Sequence, residues 1–222
     1  LVQIEPDNDL LPIRGDFRGE GDFQIALSRV SFGPIWYTLA DVVASKLHTG
    51  RAPRILRAIR VKPVGLQRWL RPFRIRGEIA VDPRRDDFCK LVIEERHRIK
   101  QRQLSAQDEA LAQFLKVLAN STSYGIFSEL NEAQFAKAQP IEVFGDVTFT
   151  TSLTWFEKPG AFSNPFLAAI ITGAARLILT IVQLTAAKYG STYVTCDTDS
   201  MTIIDPDGTT GDRLVREFER LN

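Results

Sequence analysis

The rhythm of apolar and polar residues changes along this chain, and each rhythm predicts its own element. Residues 1–35 mix short apolar runs with Pro, Gly and Asp, which predicts loop with at most one strand. In IWYTLADVVASKLHTG the apolar residues recur at helical spacing and Gly50 supplies a stop, so a helix is expected. RILRAIRVKPVG then reads as a strand running into a turn. After Asp86 and Asp87, FCKLVIEERHRIKQRQ offers N-cap acids and a helix with a strongly charged face. A second helix opens at Ser105, whose hydroxyl can cap it, with Asp108 and Glu109 in the first turn. So few residues separate these helices that they must fold back as an antiparallel hairpin.

Residues 141–157 carry β-branched and aromatic side chains around a Gly-Asp and predict a β-hairpin. SNPFLAAIITGAARLILTIVQLTAAKYG follows, with Ser163 or Asn164 as cap, Pro165 in the first turn and Gly190 as stop. This helix is apolar on almost every face. As a membrane span it would carry Arg176 at its centre, at about 2.5–3.5 kcal/mol on insertion scales. Its small residues Ala168, Ala169, Gly173, Ala174 and Ala175 suit close packing under a sheet, so a buried core helix is expected and no membrane partner. In the last stretch, STYVTC and MTII are strand-like on either side of DTDS, which makes Asp197 and Asp199 the tip of a hairpin.

The chain has 222 residues, enough for one large core or two small ones. Its net charge of +1 hides a split: residues 1–120 hold 21 basic and 15 acidic side chains, residues 121–222 hold 7 and 12. Residues 46–76 contain ten basic residues and no acid, a segment that suits a polyanion. Two cysteines, Cys89 and Cys196, lie outside any CxxC or His-rich spacing and suggest neither a disulfide scaffold nor a zinc site. The opening LVQIEPDNDLLPIRGDF is acidic and broken by prolines, unlike a secretory signal. The missing initiator Met and the end VREFERLN suggest a piece of a longer, unsecreted protein.

Candidate chemistry gathers at two places. Arg96 and Lys100 are four apart on the first helix of the hairpin, and Lys116 and Asn120 are four apart on the second, so each pair shares a face. Counted back from the turn, Arg96 and Lys116 lie within about 3 Å of the same depth at ~1.5 Å per residue. Three cations and an amide that converge make a site for a multiply charged anion such as a triphosphate. Asp197 and Asp199 do not fit an EF-hand loop, since Met201 and Thr202 occupy the fifth and sixth positions. Two neighbouring carboxylates repel unless a cation lies between them, and Mg²⁺ commonly takes one or two carboxylates plus substrate phosphates.

These residues carry a resemblance. KVLANSTSYG, residues 116–125, resembles the nucleotide-binding motif of family B (alpha-like) DNA polymerases, Lys-x-x-x-Asn-Ser-x-Tyr-Gly. CDTDS, residues 196–200, is similar to the family's catalytic Tyr-Gly-Asp-Thr-Asp-Ser, and ITGAARLIL is similar to the helix between them. Arg96 and Lys100 match the family's Arg-x-x-x-Lys. The resemblance covers roughly residues 36–205.

It implies an α+β fold: a polymerase palm with an antiparallel sheet backed by helices, plus a two-helix fingers hairpin. Residues 1–86 would be an N-terminal palm part holding the basic segment, 87–121 the fingers hairpin, and 122–222 palm with the catalytic DTDS hairpin. The implied activity is DNA-directed DNA synthesis, the transfer of a nucleotidyl group from a dNTP to a primer 3′-hydroxyl by a two-metal mechanism. Arg96, Lys100 and Lys116 would hold the triphosphate with help from Asn120. Tyr124, followed by Gly125 of the same motif, would lie by the nascent base pair and exclude a ribose. Asp199 would ligate two Mg²⁺ ions, with Mn²⁺ as substitute, and Asp197 would support that site. Implied partners are primer-template DNA, dNTP and the rest of a polymerase chain. The implied place is a cytoplasm with a bacterial, phage or plasmid-encoded source, or a eukaryotic nucleus. The alternative is a non-catalytic nucleic-acid-binding remnant.

The chain departs from the family pattern in three ways. Asn-Ser-Thr-Ser-Tyr-Gly holds one residue more than the common form, so Tyr124 would turn by about 100° on an uninterrupted helix unless a local bulge restored it. Thr195 and Cys196 stand where Tyr and Gly are usual. The third catalytic segment, an Asp before a Ser-Leu-Tyr-Pro-like run, is missing ahead of residue 36: Asp7, Asp9, Asp16 and Asp22 have no such context. Exonuclease and thumb segments are likewise missing, so the fragment alone is expected to be inactive.

Overall fold

In chain order the elements are β1 (Val2–Glu5), β2 (Asp9–Gly15), β3 (Gln24–Val30), β4 (Ile35–Tyr37), α1 (Leu39–Thr49), β5 (Arg54–Ala58), β6 (Phe73–Ile75), β7 (Ile79–Val81), α2 (Phe88–Lys100) and α3 (Ala106–Asn120). A π-turn (Ser121–Gly125) follows, then α4 (Ile126–Ser128), β8 (Leu130–Val143), β9 (Phe149–Pro159), α5 (Pro165–Lys188), β10 (Thr192–Asp197), β11 (Ser200–Ile204) and α6 (Thr210–Glu219). This computed structural model describes all residues except 18, 20, 22, 23, 66, 103, 104, 144–146, 198, 199 and 220–222, and the side chain of Asp197. The fold is mixed α+β with small antiparallel sheets. It gathers into two compact units, one of residues 1–62 with 169–222, the other of residues 63–168.

In the first unit β1 is the centre of a three-stranded sheet, antiparallel to β4 on one side and β5 on the other. β2 and β3 pair as a separate ribbon. Alternate residues Val2 and Ile4 of β1 are buried with Leu11, Val30 and Val42, and Ile13, Ile35 and Tyr37 pack around them. Residues 1–35, expected to be mostly loop, therefore supply three strands. β1 is only four residues long and draws its partners from residues 35–58, so local periodicity carries little of that signal. Similarly, Ile35–Tyr37 belongs to a strand rather than to the helix, which starts only at Leu39. Thr38 and Asp41 form a capping box there, and Gly50 ends the helix with a left-handed φ of 75°.

From Ala169 onward α5 belongs to this first unit and meets the start of α1. A Cβ at Gly173 would overlap the Thr38 side chain, so the approach requires glycine. One turn further, Arg176 Nε and Nη2 donate to Asp41 Oδ1 and Oδ2 at 2.7 and 2.9 Å. Burial on all sides of α5, as expected from its sequence, does not occur. The buried positions are small or hydroxyl-bearing, among them Gly173, Thr180, Thr185 and Ala186, while Ile170, Ile178 and Ile181 are exposed. The helix is long and apolar enough to cross a membrane by length and composition. Within the folded unit, its central charge is matched by a carboxylate of α1.

In the second unit α2 and α3 pack side by side, as the short link requires. Asp87 caps α2 and Ser105 with Asp108 forms the capping box of α3. Val92, Ile99, Ala112 and Leu115 fill the seam and are closed off by Ile75 and Val81 of the β6–β7 hairpin. Two side chains of β6 and its turn tie that hairpin to the helices: the Phe73 ring lies 6.4 Å from Phe88, and the Arg76 guanidinium lies 5.0 Å over the Phe114 ring. β8 and β9 form an antiparallel ribbon longer than the hairpin expected over 141–157, spanning residues 130–159. Its Gly-Asp turn lies outside the described residues. Phe135 stacks on Phe156 at 4.4 Å and lengthens the ribbon beyond the β-rich run that marks it in sequence.

Candidate functional site

The charged residues of α2 divide into two groups. Lys90, Glu94, Glu95 and Arg98 neutralise one another, with Lys90–Glu94 and Arg98–Glu94 at 3.8 Å and Arg98–Glu95 at 2.8 Å. Arg96 and Lys100 form no ion pair among the described residues, and neither does Lys116 on α3. Arg96 is half-buried, and its Nε is buried without a hydrogen-bond partner. Lys100, Lys116 and Asn120 are exposed.

Helix geometry places all four on one side of the hairpin. At about 100° per residue, Arg96 and Lys100 lie roughly 75° and 115° around α2 from the middle of its buried stripe. Lys116 and Asn120 lie roughly 100° and 140° around α3 from the middle of its own stripe, in the same rotational sense. In an antiparallel pair of right-handed helices the same sense on both arms faces the same side. The self-neutralised group on α2 turns the other way.

The extra residue of the Asn-Ser-Thr-Ser-Tyr-Gly run is absorbed by the π-turn. The Ile126 N–H donates to the Ser121 carbonyl five residues back, which widens the turn by one residue. Such a turn weakens the regular ladder, and three successive hydroxyls bond the carbonyls instead: Ser121 Oγ to Val117 O and Thr122 Oγ1 to Leu118 O at 2.7 Å, Ser123 Oγ to Asn120 O at 3.3 Å. Removing one step of about 100° carries Tyr124 from the back of α3 to the azimuth of Lys116. Its side chain is 41% exposed there. Gly125 has ordinary helical dihedrals, and among the described residues a Cβ on it would meet only the Asn120 carbonyl at 3.7 Å, an ordinary contact.

The acid pair belongs to the first unit. β10 and β11, which flank Thr198 and Asp199, pair antiparallel with Asp197 opposite Ser200 and Cys196 opposite Met201. Thr198, Asp199 and the Asp197 side chain lie outside the described residues. Two carboxylates and the Ser200 hydroxyl are hard oxygen donors of the kind Mg²⁺ selects. Among the described residues no group of three His, Cys, Asp or Glu is placed to hold a metal ion. In β10, burial and then the neighbouring Cys196 thiol push the Tyr193 hydroxyl above its usual 10.0.

Of the four early aspartates, Asp7 and the buried Asp9 both pair with Arg51, at 2.7 and 3.3 Å. Asp16 accepts from the Gly21 N–H, and Asp22 lies outside the described residues. In the basic stretch, Arg51 and Arg54 are engaged by acids, whereas Arg57, Arg60, Lys62, Arg68 and Arg71 form no ion pair among the described residues. The tryptophan set in that stretch escapes a reading based on charge alone, and exposure singles it out: Trp69 is 83% exposed. Comparison of the chain with family models, curated proteins and solved structures finds no match.

Proposed function

We propose that this chain is palm and fingers of a DNA-directed DNA polymerase of the family B type, with the α2–α3 hairpin as the dNTP-binding fingers. The observation that carries the reading is the split of charges on the hairpin. Arg96, Lys100 and Lys116 share a side and form no ion pair among the described residues, while the remaining charges of α2 pair off. A triphosphate supplies the negative charge and planar acceptors that such a group can bind. The π-turn supports the same reading, because it brings Tyr124 to the side of Lys116 and Asn120 despite the extra residue.

In this reading Asp197 and Asp199 would hold Mg²⁺, which would supply the Lewis acidity that activates a primer hydroxyl. Arg96, Lys100 and Lys116 orient the triphosphate and offset the charge on its leaving part, Asn120 fixes its position, and Tyr124 packs by the new base. The duplex is held by the basic stretch, with a steep dependence on salt.

The test is equilibrium binding of dNTP with Mg²⁺ to the 222-residue chain. Lys116→Ala or Arg96→Ala is expected to weaken binding about tenfold or more, the worth of one charge-assisted hydrogen bond, and Arg98→Ala to leave it unchanged. Equal effects of all three substitutions, or no dNTP binding, would remove the fingers assignment. Binding of DNA without dNTP would favour the non-catalytic remnant.

A further inference from the structure

Trp69 stands on a turn between the start of the second unit and β6, in the run QRWLRPFR, and is the most exposed aromatic side chain described there. Folding gives an indole no reason to face water: it would bury about 150–250 Å² against any core. Its neighbours Arg68 and Arg71 form no ion pair among the described residues, and no acid occurs between residues 46 and 76. The segment is nonetheless anchored. Phe73, four residues on, rests against Phe88 at the start of α2 while keeping 47% exposure, and Arg76 sits over Phe114 of α3. An exposed ring thus lies in sequence beside guanidinium groups that form no ion pair among the described residues, four residues before an anchored ring and within one unit.

We propose that Trp69, flanked by Arg68 and Arg71, is a stacking platform for an unpaired base of a single-stranded nucleic acid, with the arginines on the adjoining phosphates. Bases present a π-face whatever their sequence, and arginine adds charge to the backbone contact. A duplex keeps its bases stacked internally and offers Trp69 no such face, so the surface discriminates for single strand over double. This deepens the polymerase reading by giving the template's unpaired part a place in the second unit. It needs neither dNTP nor metal.

The test is fluorescence anisotropy of a labelled oligo-dT against the full chain, without Mg²⁺ or dNTP, beside a duplex of equal length. Trp69→Ala is expected to weaken single-strand binding by roughly five- to a hundredfold, as loss of one base stack does. Trp69→Phe should retain affinity and lose most of the tryptophan quenching that accompanies binding. Arg68→Gln with Arg71→Gln should lower the slope of log K against log salt by about 1.4, two single-strand phosphate contacts. Circular dichroism checks that Trp69→Ala is folded, as its exposure leads one to expect. Unaltered single-strand binding by folded Trp69→Ala overturns the proposal, and so does an equal loss of single-strand and duplex binding in that variant. A Trp69 that responds to anionic phospholipid vesicles and not to oligo-dT also overturns it, in favour of a membrane surface. Loss of dNTP binding in Lys116→Ala with oligo-dT binding intact separates a failure here from a failure of the fingers assignment.

Discussion

Arg176 and Arg96 are both arginines in helices, both partly buried, and the protein treats them oppositely. Arg176, 30% exposed, gives two hydrogen bonds to Asp41, itself 2% exposed and already bound by Thr38. Arg96 sits at the edge of the α2–α3 seam with a buried Nε that has no partner among the described residues, although glutamates stand one and two residues away on the same helix. The first arrangement completes itself within the fold. The second leaves its charge without an ion pair among the described residues. A buried guanidinium alone therefore says little about function, and whether the fold supplies its carboxylate separates a structural role from a binding one.

The sharpest way to break the contrast is Arg176→Met. It strands a buried carboxylate, so a loss of about 3 kcal/mol is expected in urea unfolding. Next comes Gly173→Ala in the same contact, where the new methyl would overlap Thr38 and cost about 2 kcal/mol by the same measurement. In the hairpin, Ser105→Ala removes a cap and should cost about 1 kcal/mol. The Ser105 hydroxyl holds the Asp108 carboxyl below its ordinary 3.8, so this carboxylate's contribution is complete above that pH and disappears as pH falls through the lower folded value. The gap between wild type and Ser105→Ala in acid-unfolding curves should narrow there.

Deletion of Ser123 sharpens the other side of the comparison. It should turn the π-turn into continuous α-helix with Tyr124 on the same azimuth, leaving helicity and dNTP affinity within about threefold. An alanine inserted at the same point should abolish that tolerance. The smallest effect on stability is expected for Arg96→Met, within about 0.5 kcal/mol, because no internal partner is stranded, and its loss should show in dNTP binding alone. A loss near that of Arg176→Met would mean Arg96 is structural after all.

Residue order is enough to read the local features. Asp87 and Ser105 start helices, Gly50 and Gly190 stop them with left-handed φ of 75° and 80°, and the brief link between α2 and α3 forces them antiparallel. Each depends on groups within about one helical turn, so residue order is enough to read it. The faces of Arg96, Lys100, Lys116 and Asn120 followed from the same 3.6-residue repeat. The remaining features depend on long-range pairing. The opening strands formed because β1 found partners up to 56 residues away, and Arg176 found Asp41 across 135 residues. The outward face of α5 was hidden because apolar composition names a helix without naming what it meets. Pairings over such distances depend on where the folded chain brings two segments together, and no periodicity within either segment records that meeting.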